Sequence, residues 1–384
     1  MFKRTIFKTA LCAGLAILAP QTALGSKPTP TPKVDVVFVL DTTGSMSGLI
    51  NAAKEKIWSI ASTLSDTTPA PEIRIGLVGY RDRGDAYVTT RSALTTDLDA
   101  VYGDLMKFEA GGGGDGPESV NQALNEAVTR FDWSQDPDAY KVVFLVGDAP
   151  PHMDYQDDVP YRETVNLALN KGIIINTIQC GNMESTTPIW NEIAKFGEGV
   201  FAKVEQSGGA LLAATPYDSK LAELSSELDK TRVAYGDHDE RAAQAAKFAM
   251  SDAIAEEATV SALARRSELN VSAAGKANFL GSKELVEDVS TGKVSLEKLD
   301  QAQLPQELRD VGADEQKRII AEKKDKRDKI ESEIRKLSQA RQDYLKKEAA
   351  KSAGEKPVLD EVIFSAIKTQ AGAKGLTYDS GPHY

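Results

Sequence analysis

Residues 41–47 read DTTGSMS, and an almost unbroken apolar run, VDVVFVL, leads straight into the aspartate. One acid followed by hydroxyls at alternate positions, Thr43 and Ser45, fits a set of hard oxygen ligands, a helix cap or a catalytic group. Two other stretches carry acids that bear on the choice. KVVFLVGD ends in Asp148, and the glycine-rich loop EAGGGGDGPES at 109–119 presents Asp115. Three carboxylates brought to one rim repel one another unless a cation sits among them. An all-oxygen donor set suits Mg²⁺, Ca²⁺ or Mn²⁺ and not Zn²⁺. Asp41, Thr43, Ser45, Asp115 and Asp148 are therefore the candidate metal ligands.

The elements that must position these residues are legible in the hydrophobic pattern. Strands are predicted at 34–40, 73–80, 87–94, 141–147, 172–180 and 199–204. Four of them are nearly continuous in Val, Ile, Leu and Phe, the pattern of strands covered on both faces. Amphipathic helical stretches fall between them at Leu49–Leu64, Asp97–Phe108, Pro117–Phe131, Pro160–Asn170 and Pro188–Phe196. Three of these open on proline, which suits a first helical turn. The alternation predicts an α/β fold, a doubly wound, mainly parallel six-stranded sheet, with the polar stretch 87–94 as an antiparallel edge strand. In such a sheet ligands bind outside the carboxyl ends of the strands, where Asp41 and Asp148 fall.

Taken together, DTTGSMS after an apolar strand, the GGGGDGPE loop and FLVGDAPPH resemble the von Willebrand factor type A (VWA) domain and its metal-ion-dependent adhesion site. The resemblance covers roughly Val34 to Tyr235. It implies that Asp41, Thr43 and Ser45 match the D-x-S-x-S positions and that Asp148 matches the later aspartate, which holds the ion through water. Asp115 falls where many members have threonine. An aspartate there adds negative charge, holding the cation more tightly and weakening its pull on an acidic ligand.

The remaining chain sets the context. Met1–Gly25 has Lys3, Arg4 and Lys8, an apolar stretch and small residues before Ser26, the pattern of a secretory signal peptide. Residues 26–33 form a Pro/Thr linker, 34–236 the VWA domain, and 237–384 a helical C-terminal region with a long charged helix at about 314–351. That helix shows a stripe of Ile330, Ile334, Leu337, Arg341 and Tyr344, suggesting a hairpin with the Ala-rich segment 237–268. Removing the signal takes the formal charge from −11 to −14, which argues against nucleic acid or anionic membrane as partners. No stretch after the signal is long and apolar enough to span a bilayer. The protein is thus expected to be exported, in a periplasm or outside the cell. Cys180, alone once Cys12 has gone, reads as a buried inert thiol.

Other motifs carry blander meanings. Gly111–Gly116 fits G-x-G-x-x-G but follows a helix, and Asp115 would face a pyrophosphate; its glycines instead give the loop backbone freedom. Arg83-Gly84-Asp85 reads as a turn and His152 as a loop residue beside the rim. The expected function is binding of a protein partner, through a carboxylate or other oxygen that completes the cation's shell. One alternative is a structural or regulatory envelope protein acting mainly through the helical region. A metal-assisted hydrolase has less support, because no general acid or base has a claim on a substrate.

Overall fold

A computed structural model describes residues 31–67, 69–114, 116–208, 213–352, 358–378 and 381. Residues 1–30, which hold the expected signal peptide and most of the linker, and Asp115 lie outside the described residues. The chain forms β1 (Lys33–Asp41), α1 (Ser47–Ser65), β2 (Glu72–Tyr80), β3 (Thr89–Arg91), α2 (Leu98–Met106), α3 (Val120–Thr129) and β4 (Tyr140–Gly147). Then come α4 (Tyr161–Asn170), β5 (Ile173–Cys180), α5 (Thr186–Phe196), β6 (Glu198–Val204), α6 (Asp218–Asp229), α7 (His238–Glu257) and α8 (Val260–Asn270). The last elements are α9 (Ala273–Leu280), α10 (Leu285–Ser290), α11 (Gln306–Arg309), α12 (Ala313–Ser352) and α13 (Leu359–Gly372).

The six strands pair in the order β3-β2-β1-β4-β5-β6. All pairings are parallel except β2 with β3, the expected antiparallel edge. Side chains alternate across a strand, and β1 shows why its apolar run is continuous. Val34, Val36, Phe38 and Leu40 enter one core with α1, α2 and α13, while Val37 and Val39 enter another with α3, α4 and α5.

Two helix starts differ from expectation. α3 begins at Val120 and not at Pro117, because Glu118 pairs by backbone with Pro151. Pro188 is the third residue of α5, not its first; Pro160 is the N-cap of α4.

The charged helix is present as α12, but it rests on α6, α8 and α10, while the Ala-rich α7 lies on α2 and α6. The expected hairpin is thus replaced by a layered helical region. Ile330, Ile334 and Arg341 are buried as the stripe implied; farther along, Leu345 is buried and Tyr344 only half-buried. Residue 236 does not mark a packing boundary. Leu359, Ile363, Ile367 and Leu376, from the far end of the chain, complete the core on the α1 face of the sheet.

Candidate metal centre

Parallel pairing puts the ends of β1 and β4 on one edge of the sheet, so Asp41 and Asp148 leave it side by side. A short 3-10 turn at Gly44–Met46 leads from the first loop into α1. Asp41 is fully buried, and its Oδ1 accepts from the Thr43 hydroxyl at 2.6 Å and the Thr43 amide at 2.9 Å. The Thr43 and Ser45 hydroxyls lie 3.3 Å apart. Neither residue caps a helix: the Thr43 side chain makes no cap hydrogen bond to the turn, and α1 starts after Met46 with no side-chain cap. The cap reading of DTTGSMS therefore fails.

Asp148 is held by a residue the sequence did not single out. Gln206, on the loop after β6, donates through Nε2 to Asp148 Oδ2 at 2.7 Å and to the Ser45 carbonyl at 3.3 Å. The Asp148 carbonyl accepts from the Thr186 hydroxyl at 2.7 Å. The glycine-rich loop reaches the same rim through Gly111 N–H to the Thr42 carbonyl at 3.1 Å and Gly44 N–H to the Gly112 carbonyl at 3.3 Å. Gly112 and Gly113 have φ of 75° and 79°, a conformation glycine adopts without strain. The Asp85 carboxylate crowds the place a Gly112 side chain would need, and it accepts from Gly113 N–H at 3.1 Å.

Glu118 is the second residue that sequence reasoning missed. It is buried, and its Oε2 has no hydrogen-bond partner among the described residues. Asp41 Oδ2 is orphaned in the same way. The electrostatics follow. Burial, reinforced by Asp148, pushes the Asp41 carboxyl up to about 7 despite the opposing hydrogen bonds from Thr43. Burial and then the charges of Asp41, Asp82, Asp85 and Asp148 push Glu118 up to about 9. Tyr80, buried beside Asp41, Asp148 and Glu118, is raised well above its ordinary value. Burial, then Asp148 and Asp41, raise the Cys180 thiol, so this free, buried cysteine is chemically quiet.

Around this rim the other motifs are occupied internally. Arg83 pairs with Asp157 and Asp158, each at 2.9 Å, and lies over the Tyr155 ring. Since Asp85 holds the glycine loop, the Arg-Gly-Asp tripeptide serves as a turn. His152 stacks on Tyr155 and lies between Asp154 at 2.8 Å and Asp82 at 3.3 Å. Asp82 also accepts from the Ser119 hydroxyl and the Tyr155 phenol, both at 2.8 Å.

A donor set of Asp41, Thr43, Ser45 and Asp148 fits a hard divalent cation. The fit rests on the orphaned Asp41 Oδ2 and on two hydroxyls that no cap employs. Among the described residues no group of three or more His, Cys, Asp or Glu side chains forms a metal shell. A cation here would thus take hydroxyls and water beside its carboxylates.

Gly147, the last residue of β4, packs against this site. A side chain there would collide with the Tyr80 hydroxyl and stand 2.9 Å from Asp41 Cβ and 3.0 Å from Asp41 Oδ2. Gly147→Ala is expected to destabilise the protein by about 1–3 kcal/mol, the usual penalty of overpacking. The measurement is a lower urea midpoint at unchanged slope, and a midpoint equal to wild type would refute it.

Comparison with known proteins bears on the fold that carries this rim. The family described as von Willebrand factor A domain matches residues 35–215. The von Willebrand factor A domain-containing protein 7 of Mus musculus is 36% identical over 32% of this chain and 12% of its own length. The alpha-protein kinase vwkA of Dictyostelium discoideum is 29% identical over 31% of this chain and 19% of its own. The chain thus spans less than a fifth of the length of these relatives. Among solved structures, proximal thread matrix protein 1 from the mussel byssus aligns at TM-score 0.34 and 17% identity, over 46% of this chain and 42% of that one. Residues 35–215 match the von Willebrand factor A domain family, and the six-stranded sheet they build is VWA-like.

Proposed function

We propose that this chain is an exported binding module that engages a protein partner through a divalent cation, Mg²⁺, Ca²⁺ or Mn²⁺, held by Asp41, Thr43, Ser45 and Asp148. The sequence adds Asp115 to that set. The coarser part of the reading needs no site, since a VWA domain implies a protein-interaction module; the cation-dependent part is argued from this chain's own residues. The observation that carries it is the orphaned Oδ2 of fully buried Asp41, beside hydroxyls that cap no helix. A buried carboxylate oxygen with no partner is costly unless a cation or a proton satisfies it.

When bound, the cation supplies a Lewis-acidic point open to an oxygen from the partner. The chain's own residues do the positioning. Thr43 fixes one oxygen of Asp41, and Gln206 fixes one oxygen of Asp148 while tying the β6 loop to the Ser45 carbonyl. No helix among the described residues is long and apolar enough to cross a membrane.

Calorimetric titration with Mg²⁺ or Mn²⁺ and chelator-sensitive crosslinking test the proposal together. One cation is expected to bind the wild type, and Asp41→Ala is expected to abolish binding while leaving the far-UV spectrum unchanged. Crosslinked partners should disappear with EDTA. Recovery of the same partners with and without EDTA would end the adhesion reading. If that recovery also required residues beyond Asp237, the work would belong to the helical region.

A further inference from the structure

We propose that Glu118 forms an acidic wall of the cation site, so that the group a partner brings to the cation is an uncharged oxygen, a hydroxyl or an amide carbonyl, and not a carboxylate. This rests on the cation reading above.

Glu118 is fixed where it stands. Its N–H donates to the Pro150 carbonyl at 2.9 Å, and its own carbonyl accepts from His152 N–H at 3.0 Å. The next residue, Ser119, donates its N–H to the Arg81 carbonyl at 3.1 Å. The segment is thereby clamped between the loops that follow β2 and β4. Its side chain points into the rim: a Cβ on Gly113 would stand 3.4 Å from Glu118 Oε1 and 3.1 Å from Thr43 Cβ.

Three neighbouring acids are satisfied and Glu118 is not. Asp82 is held by Ser119 and Tyr155, Asp85 by the Asp82 and Gly113 amides, and Asp148 by Gln206. Among the described residues Glu118 forms no ion pair, and the guanidinium of nearby Arg81 is committed to the Thr42 and Glu109 carbonyls. Among the described residues, the carboxylate oxygens of Asp41 (Oδ2) and Glu118 (Oε2) are left without partners at the rim, as is the Tyr80 hydroxyl.

Charge then selects the partner. A bound dication draws the protons off these carboxyls, so that Asp41, Asp148 and Glu118 then surround it with three negative charges, and an incoming carboxylate would add a fourth. A hydroxyl or amide oxygen completes the shell without that repulsion. Glu118 occupies, within the chain, the electrostatic role that a partner's acid would otherwise fill.

Mn²⁺ binding to the full chain, read by electron paramagnetic resonance and by water-proton relaxation, tests this with acetate as the carboxylate probe. In wild type, Mn²⁺ should bind and acetate up to 100-fold over protein should leave the relaxation enhancement unchanged. In Glu118→Gln, Mn²⁺ affinity should fall about tenfold, the lower range for loss of an outer group at a metal site. Acetate should then displace bound water and lower the enhancement. Acetate lowering the enhancement equally in wild type and Glu118→Gln overturns the inference, and the wild-type arm alone decides it if the variant misfolds. Equal Mn²⁺ binding by wild type and Asp41→Ala overturns the cation reading itself and this inference with it. Loss of Mn²⁺ in Asp41→Ala with an acetate-sensitive wild type overturns the inference alone.

Discussion

Arg266→Met is expected to remove about 3–5 kcal/mol of stability, the cost of leaving a buried partner charge uncompensated. Arg266, on α8, is fully buried. Its guanidinium reaches Asp99 of α2 at 2.7 and 3.0 Å and Asp229 of α6 at 2.7 and 3.1 Å. Asp99 also accepts from Ser251 of α7 at 2.7 Å. The Arg266 side chain therefore ties α8 and α6 to α2, and Asp99 brings in α7 through Ser251. Domains are commonly stable by only about 5–15 kcal/mol, so this single truncation endangers the fold. Urea unfolding at pH 7 gives the measurement, and a loss below about 1 kcal/mol would show that the network is not needed. Asp229 keeps a second buried cation, Arg232, at 2.8 Å, so the stranded acid is Asp99, and Arg266→Met with Asp99→Asn should recover part of the loss.

The same variant has a pH signature. Burial alone would push the Asp99 carboxyl up, but the Arg266 charge and hydrogen bonds, with Lys247 and Ser251, overcome it and hold Asp99 well below the usual carboxylate range. A depressed carboxyl binds fewer protons folded than unfolded. Its contribution is complete above the unfolded value of about 4 and is lost as pH falls below it. Without Arg266, burial dominates and the sign reverses: the folded carboxyl is then the one that holds its proton more tightly. The stability gap between wild type and Arg266→Met should therefore narrow from pH 7 towards pH 4. A constant gap would mean that lost packing, and not charge, causes the damage.

How much of this could be read from the sequence depends on range. The sheet was legible because β1, β2, β4 and β5 bury both faces, so that their runs are short, continuous, rich in β-branched residues and separated by amphipathic stretches. Asp41 and Asp148 were legible because each directly follows such a run. Glu118 was hidden, since GPES looks like a helix start; what unwinds it is a backbone pairing with Pro151, a residue 33 positions later. Gln206 was hidden for a related reason, as only the return of the β6 loop to Asp148 gives it a role. In α12 the charge density reads as a solvated face, and much of it is, with pairs such as Lys324–Asp328 and Lys329–Asp325 one turn apart. Arg327 is the exception. It is fully buried, pairs with Glu284 at 2.9 Å and donates to the Thr231 carbonyl at 2.9 Å. Nothing local distinguishes it from its exposed neighbours. Arg341 was visible, because it interrupts an apolar stripe, and it too is buried, against Asp218 and Glu268.

The double substitution Ile363→Ala with Ile367→Ala on α13 is expected to be as damaging as loss of Arg266, and to reach the cation site as well. Both side chains are buried in the core that holds Phe38, Leu40 and Val146, so they complete the sheet's packing from more than 200 residues along the chain. Each Ile→Ala change in a core typically costs about 2–5 kcal/mol. The two lie one turn apart and share neighbours, so their effects need not add; a combined loss of at least about 4 kcal/mol is expected from the same range. The link to the site is geometric. Leu359, the first residue of α13, donates its N–H to the Gly208 carbonyl at 3.0 Å, two residues after Gln206. Asp360 forms a buried ion pair with Lys56 of α1, the helix that DTTGSMS leads into, at 2.7 Å. Loosening α13 should therefore release the loop that positions Gln206 and weaken Mn²⁺ binding together with stability. Leu337→Ala, on the half-buried stripe of α12, is the control: it should lower stability less and leave Mn²⁺ affinity at the wild-type value. If the α13 variant unfolds more easily yet binds Mn²⁺ as wild type does, the helix supports the fold without supporting the rim.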